Sequence, residues 1–295
     1  MQDNPFETRR ELRGRLLIMG GILAVVVTAV TFFIFFKDNR DAPLPKALSS
    51  LCLYGFFFLF NFSGFSRAGL SYNRLFGTFP TWRTLGQYAL WVVPLVMCAI
   101  ASLYVLYLPL SYVFPGFVKS WCLESSTIMI WSEGDNYILA NAINYLTIVL
   151  VAPVIEEFFV RGILLTRWTV KWGVTRAILA SSIVFGLLHT NVIGGFCFAC
   201  AMAIFYIRTK SLFMPISLHI LNNLTARIVG YLTMDPDTPA SLTITEFQES
   251  WWIGLIALVI SIPCVILFWR RYISKTDWRV PYLIESNSCE NDTTG

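Results

Sequence analysis

Residues 152–165 read A-P-V-I-E-E-F-F-V-R-G-I-L-L, so two adjacent carboxylates and an arginine stand inside an otherwise apolar run. The chain's only two histidines, His189 and His219, lie in similar runs, and His219 is followed by Asn223 and Arg227 at i+4 and i+8. An ionisable residue within a bilayer is expensive, so one that is kept there is read as part of a functional site with partners. Whether these segments cross a membrane therefore decides both the fold and the function.

Composition says that they do. Hydrophobic residues make up 56% of the 295, charged residues 14%, and the mean hydropathy is +0.63, whereas a soluble domain carries about 25% charged residues. Residues 16–36 contain no charge, enough for a helix that needs about 20 residues to cross the hydrocarbon core. Arg9, Arg10, Arg13 and Arg15 precede it as in a signal peptide. The apolar run is longer than a signal sequence's about 7–15 residues, however, and no small-x-small site closes it, so it reads as a retained anchor. Further apolar runs at about 47–63, 85–110, 137–166, 177–189, 192–207, 211–232 and 251–269 predict an all-α, polytopic membrane protein. About eight transmembrane helices would enclose a polar catalytic cavity. Helices 1–3 and their loops would occupy 1–136 and helices 4–7, carrying the polar motifs, 137–232. An outer loop, the last helix and a cytosolic tail would fill 233–295. The loop at 111–136, with Trp121, Ile128, Ile130 and Trp131, is expected to lie along the outer interface, and the polar tail after Trp278 to be disordered.

Lys and Arg favour cytoplasmic loops. With the N-terminus inside, the inner segments hold Arg9, Arg10, Arg13, Arg15, Arg67, Arg74, Arg83, Arg167, Lys171, Arg176, Arg208, Lys210, Arg270, Arg271, Lys275 and Arg279. The outer ones hold Lys37, Arg40, Lys46 and Lys119, and the loop at 233–250 is acidic. Both termini are thus expected in the cytosol, in a bacterial inner membrane or, for a eukaryotic chain, the endoplasmic reticulum. The basic excess is accounted for by orientation. No basic run alternates with stacking aromatics, so nucleic acid is not an expected partner. Membrane lipid and a hydrophobic or lipidated peptide or protein substrate are. The seven scattered cysteines form no disulfide framework.

At 1.5 Å rise per residue, Glu156 lies about 22 Å from Lys171 and His189 about 20 Å from Arg176. His219 and Asn223 lie about 14 and 20 Å from Lys210. These four residues from three helices reach similar depth and can converge. Glu157 and Arg161, at i,i+4, share a helix face and can pair, which leaves Glu156 on another face. A carboxylate beside an imidazole can activate water, and an imidazole N–H and an amide one turn apart can donate to an oxyanion. The set reads as hydrolysis of an acyl bond by water. Packing through interhelical hydrogen bonds in a non-catalytic immunity or scaffold protein is the alternative, and a proton-coupled transporter a more distant one. Against the transporter, the chain has neither internal repeats nor paired broken helices.

With F-G-L-L-H at 185–189 and S-L-H-I-L-N-N at 217–223, the opening stretch resembles the E-E-x-x-x-R, F-x-x-x-H and H-x-x-x-N motifs of the CPBP intramembrane proteases. That family includes the type II CAAX prenyl endopeptidases and the bacterial Abi proteins, and R-G-I-L-L and M-P-I-S-L-H-I-L-N-N look closer to prokaryotic members. The resemblance covers roughly 150–225. It implies an intramembrane endopeptidase with Glu156 as general base, His189 orienting the water, His219 and Asn223 stabilising the oxyanion, and Glu157 and Arg161 bracing the site. The family has been described both as metal-dependent and as metal-free. No metal cofactor is the expectation here, with zinc on Glu156, His189 and His219 as the alternative. Arg227 is expected either to snorkel or to receive a substrate carboxylate.

Overall fold

The computed structural model describes residues 4–39, 41–124, 131, 134–233 and 242–284. Ile128 and Ile130 of the expected interfacial loop, Asp235 and Asp237 of the acidic loop, and the tail from 285 onward lie outside the described residues. Among the described residues there is no strand. Every apolar run is helical over most of its length. We name α1 Gly14–Phe35, α2 Pro43–Ala68, α3 Trp82–Val113, α4 Tyr137–Trp172, α5 Val174–Leu187, α6 Val192–Thr209, α7 Phe213–Thr233 and α8 Trp251–Arg271. All but α5 and α7 are long and apolar enough to cross a membrane. In α7 the polar residues His219, Asn222, Asn223 and Arg227 dilute the apolar content, and α5 is short. The protein is an all-helical, integral membrane protein. Outward side chains such as Val25, Ile34, Leu267 and Trp269 are apolar and exposed, as a lipid-facing surface requires.

The α8 helix lies along α3, α5 against α6, and α1 and the first part of α4 against α2. One end of the bundle gathers the segments richest in Arg and Lys. There the Phe6 ring meets Tyr282 edge-on at 4.8 Å, Arg74 donates to the Tyr282 carbonyl, and Arg208 donates to that of Lys275. At the other end Gln248 reaches Ser111 and Tyr104 reaches Ser250. An aromatic core of Phe65, Phe158 and Phe159 packs between α2 and α4 with ring centroids 5.3–5.5 Å apart.

Two departures from regular helix position the polar residues. In α4, π-helical turns at Thr147–Val151 and Phe158–Leu165 flank the α-helical Ala152–Glu157. Pro153 has no N–H for the carbonyl four residues back, and its ring crowds that carbonyl, so the turn before it widens. The second departure is the length of α5. Its 14 residues span about 21 Å, short of a hydrocarbon core of about 30 Å. Its turn into α6 packs on the middle of α3: Asn191 Nδ2 donates to the Ala99 carbonyl at 2.7 Å, Ser102 donates to Asn191 Oδ1 at 3.2 Å, and the Tyr107 hydroxyl donates to the Thr190 carbonyl. Since α3 continues to Val113, the turn ends inside the layer. Helix α5 stops at Leu187 rather than running through His189, and His189 stands in the turn. Glycines allow so tight a reversal. A Cβ on Gly186 would lie 2.6 Å from the Val192 carbonyl oxygen, and one on Gly195 3.2 Å from the Gly186 Cα.

Candidate active site

Three helices, α2, α4 and α7, meet at Glu156 and Glu157. Glu157 is fully buried, and its Oε1 accepts from Arg161 Nη1 at 3.0 Å and from His219 Nδ1 at 2.8 Å. Its Oε2 has no hydrogen-bond partner among the described residues. Arg161, 1% exposed, also donates from Nη2 to the Ala199 carbonyl of α6 at 3.1 Å. Its guanidinium lies 4.7 Å over the Phe185 ring. A buried arginine is therefore bound on three sides by a carboxylate, a carbonyl and an aromatic face, the combination that a desolvated guanidinium requires.

Glu156 faces elsewhere. It is partly exposed, its Oε1 accepts from the Tyr54 hydroxyl of α2 at 2.6 Å, and its Oε2 lies 3.8 Å from His219 Nε2. His219 is thus held between the two carboxylates, with one ring nitrogen turned to each. A carboxylate oxygen only accepts, so the Glu157 contact requires the proton on Nδ1. In the neutral imidazole Nε2 is then an acceptor, and it becomes a donor once His219 is protonated. Phe198 and Phe185 pack edge-on against the His219 ring at 4.8 and 5.9 Å.

His189 reaches this cluster through Phe185. The two rings stack at 4.3 Å, and His189 Nδ1 lies 2.7 Å from the Phe185 carbonyl oxygen, which likewise fixes the proton on Nδ1 and leaves Nε2 open. Asn223 donates from Nδ2 to the Ile148 carbonyl at 2.9 Å, inside the first π-helical turn, and accepts from Asn222 at 3.3 Å. The widened backbone of α4 supplies that carbonyl. Arg227 lies two turns beyond His219 and is 8% exposed.

Residues 138–225 match the Rce1-like family, type II CAAX prenyl endopeptidases. The match runs from the start of α4 into α7 and holds every residue of the cluster except Tyr54. At family level it points to a CAAX-type intramembrane protease, a hydrolase. It covers under a third of the chain, leaving α1, α2, α3 and α8 outside. No curated protein and no solved structure matches the chain.

The matched segment brings Glu156, Glu157, Arg161 and His219 together directly, and His189 by way of a ring. Sequence reasoning missed Tyr54, which lies in an apolar run about a hundred residues upstream with no motif around it. It also gave no role to Phe185, although that residue opens the F-x-x-x-H motif. Among the described residues no three His, Cys, Asp or Glu side chains gather closely enough to hold an ion. The Nδ1 bonds of both histidines leave Nε2, the nitrogen that a metal would take, open.

Proposed function

We propose that the protein is an intramembrane endopeptidase that cleaves a peptide bond of a hydrophobic or lipidated membrane-bound substrate with water activated at Glu156. One observation carries this reading. Glu156 and His219, from different helices, face each other at 3.8 Å inside the bundle, each fixed from behind, by Tyr54 and by Glu157. A water beside this pair can contact Glu156 Oε2 and His219 Nε2 at once. As its oxygen attacks the carbonyl carbon, one proton passes to Glu156, and Glu156 returns it to the departing amine. The developing oxyanion is met by the second N–H of Asn223 and, in its protonated form, by Nε2 of His219. The open Nε2 of His189 helps to orient the water. The reaction proceeds without a metal ion, since the base and the donors come from the chain.

The surroundings suit such a substrate. An apolar groove of about 180 Å³ between α2 and α4 is lined by Phe58, Phe62, Phe65, Phe76, Ile155 and Phe158, next in sequence to Glu156. Arg227, a buried cation farther along the His219 helix, is the candidate to receive a substrate carboxylate. Both termini lie in the cytosol on this reading, because the most basic segments share one end of the bundle. The test is purified protein in nanodiscs with peptides that end in a prenylated C-a-a-X sequence, products being read by mass spectrometry. Release of the C-terminal fragment by the wild type but not by Glu156→Gln is expected. Equal release by both would refute the assignment.

A further inference from the structure

A second concave feature lies away from the carboxylates, at the end of the bundle where the basic segments gather. A cavity of about 550 Å³ opens there between the start of α3 and the α6–α7 connection, walled by Thr81, Arg208, Lys210, Ser211, Lys275 and Asp277. Its charge is one-sided. Asp277 is occupied by Arg279, which donates to it from Nε at 2.8 Å and Nη2 at 2.6 Å, and those hydrogen bonds hold the carboxyl below its usual range. Arg208 is fixed by its bond to the Lys275 carbonyl and by the Tyr272 ring, 5.1 Å from its guanidinium carbon. Lys210 and Lys275 form no ion pair among the described residues. Three cations thus line the cavity against one carboxylate, Asp277, which is already paired with Arg279.

The wall is also built rather than incidental. Lys210 ends α6 with φ +53°, a left-handed conformation in which glycine is the usual residue. Backbone contacts hold it there. The Leu212 N–H donates to the Phe76 carbonyl at 2.9 Å, and Gly77 (φ +65°) sits so close that a Cβ would lie 2.2 Å from the Lys210 carbonyl oxygen. A lysine kept where glycine would be easier, in a clamped loop, points to use of its ammonium group. Orientation in the membrane accounts for cations in these loops, but not for their convergence on one preformed cavity. At the rim, Phe79 and Trp82 are 52% and 79% exposed, with rings 5.9 Å apart. Exposed aromatics of this kind mark the level of lipid headgroups.

We propose that this cavity binds the phosphate group of an anionic phospholipid of the adjoining leaflet, with Lys210, Lys275 and Arg208 around the phosphate and Phe79 and Trp82 against the start of the acyl chains. The site is separate from the proposed hydrolytic centre and does not depend on it. Free phosphate shares the chemistry, so the experiment has two arms. Purified protein in neutral detergent is titrated with phosphatidylglycerol, with phosphatidylcholine or with inorganic phosphate, and bound species are counted by native mass spectrometry. Lys210→Gly, which keeps the left-handed turn, and Lys275→Gln should each weaken phosphatidylglycerol binding about 5-fold, and the double variant roughly 25-fold, as expected for one interfacial charge each. Thermal stability should be unchanged, and Lys275→Gln alone is decisive if the double variant does not fold. Lysine-dependent binding of inorganic phosphate without a preference for the lipid would keep the site and overturn the lipid as its source. Phosphatidylglycerol bound equally by wild type and variant, or phosphatidylcholine bound as tightly, would overturn the proposal.

Discussion

Glu156 and Glu157 are neighbours in sequence, and the same substitution should affect them in opposite ways. In Glu157→Gln the side chain keeps its size but loses its charge, while Arg161, 1% exposed, keeps its own. Breaking a buried pair by removing one partner costs about 3–5 kcal/mol, because the remaining charge is left uncompensated. The amide oxygen can accept from only one of the two donors now at 3.0 and 2.8 Å with anything like the carboxylate's strength, which places the cost toward the upper end. For a large domain 1 kcal/mol corresponds to about 2–4 °C, so a cost of about 4–5 kcal/mol should lower the melting temperature by about 8–20 °C. Glu156→Gln has no buried cation beside it, and its amide oxygen can still accept from Tyr54, so its melting temperature should stay within about 2 °C, as at sites that break no buried pair. The assay is intrinsic tryptophan fluorescence on heating in one detergent. Arg161→Met added to Glu157→Gln should recover part of the loss, since the stranded charge is gone. A Glu157→Gln protein as stable as Glu156→Gln would refute the claim that Arg161 depends on Glu157.

Tyr54→Phe removes only the hydroxyl that donates to Glu156 at 2.6 Å. A hydrogen bond to a charged group is worth about 1.5–3 kcal/mol, so peptide release should slow about 10- to 100-fold with little change in melting temperature, and an unchanged kcat would remove Tyr54 from the site. Asn223→Ala should lower kcat and kcat/KM by similar factors, as loss of a transition-state contact does. A rise in KM at constant kcat would make Asn223 a substrate-binding residue instead. Gly186→Ala must separate α5 from α6, because its Cβ meets the Val192 carbonyl at 2.6 Å. It should lower activity at least as much as stability by displacing His189, and wild-type turnover would count against that placement. Chelator-treated protein should retain its activity, with elemental analysis as the check. One zinc per chain that is lost together with activity would reassign Glu156 as a ligand.

The fold was legible because the expected transmembrane runs are apolar stretches that are helical over most of their length, six of them long and apolar enough to cross a membrane. Hydropathy could not announce that α5 stops at Leu187 or that its turn sinks against Ala99 and Ser102. That placement depends on backbone approach at Gly186 and Gly195 and on side-chain bonds to a helix about ninety residues away. Nor could it announce the π-helical turns. Pro153 gives a physical reason for the first, but a proline in a membrane helix can equally produce a kink. At the site, spacing along one helix carried the shared face of Glu157 and Arg161. It could not carry the arrival of His219 on the same carboxylate, which is a tertiary event between residues 62 apart. Tyr54 was illegible for the same reason: a tyrosine in an apolar run is ordinary until its hydroxyl is seen against Glu156.

The two carboxylates also divide the electrostatic work. An ionised group in a dry bundle needs a fixed counter-charge, but a group that is to take and return a proton cannot be held by a strong one in every state. Glu157 has the fixed counter-charge: Arg161 lies against it, and Ala199 and Phe185 hold Arg161 in turn. Glu156 has none within bonding distance. Its contacts are the neutral Tyr54 hydroxyl and, at 3.8 Å, Nε2 of His219. His219 joins the two, anchored through Nδ1 on Glu157 and facing Glu156 with Nε2. Exchange of the two roles would require Arg161 to move to the face of Glu156, and i,i+4 spacing does not allow that. The order of the motif thus distinguishes its two otherwise identical residues: the second glutamate carries the ion pair with Arg161, and the first is the one that the proposed mechanism uses for proton transfer.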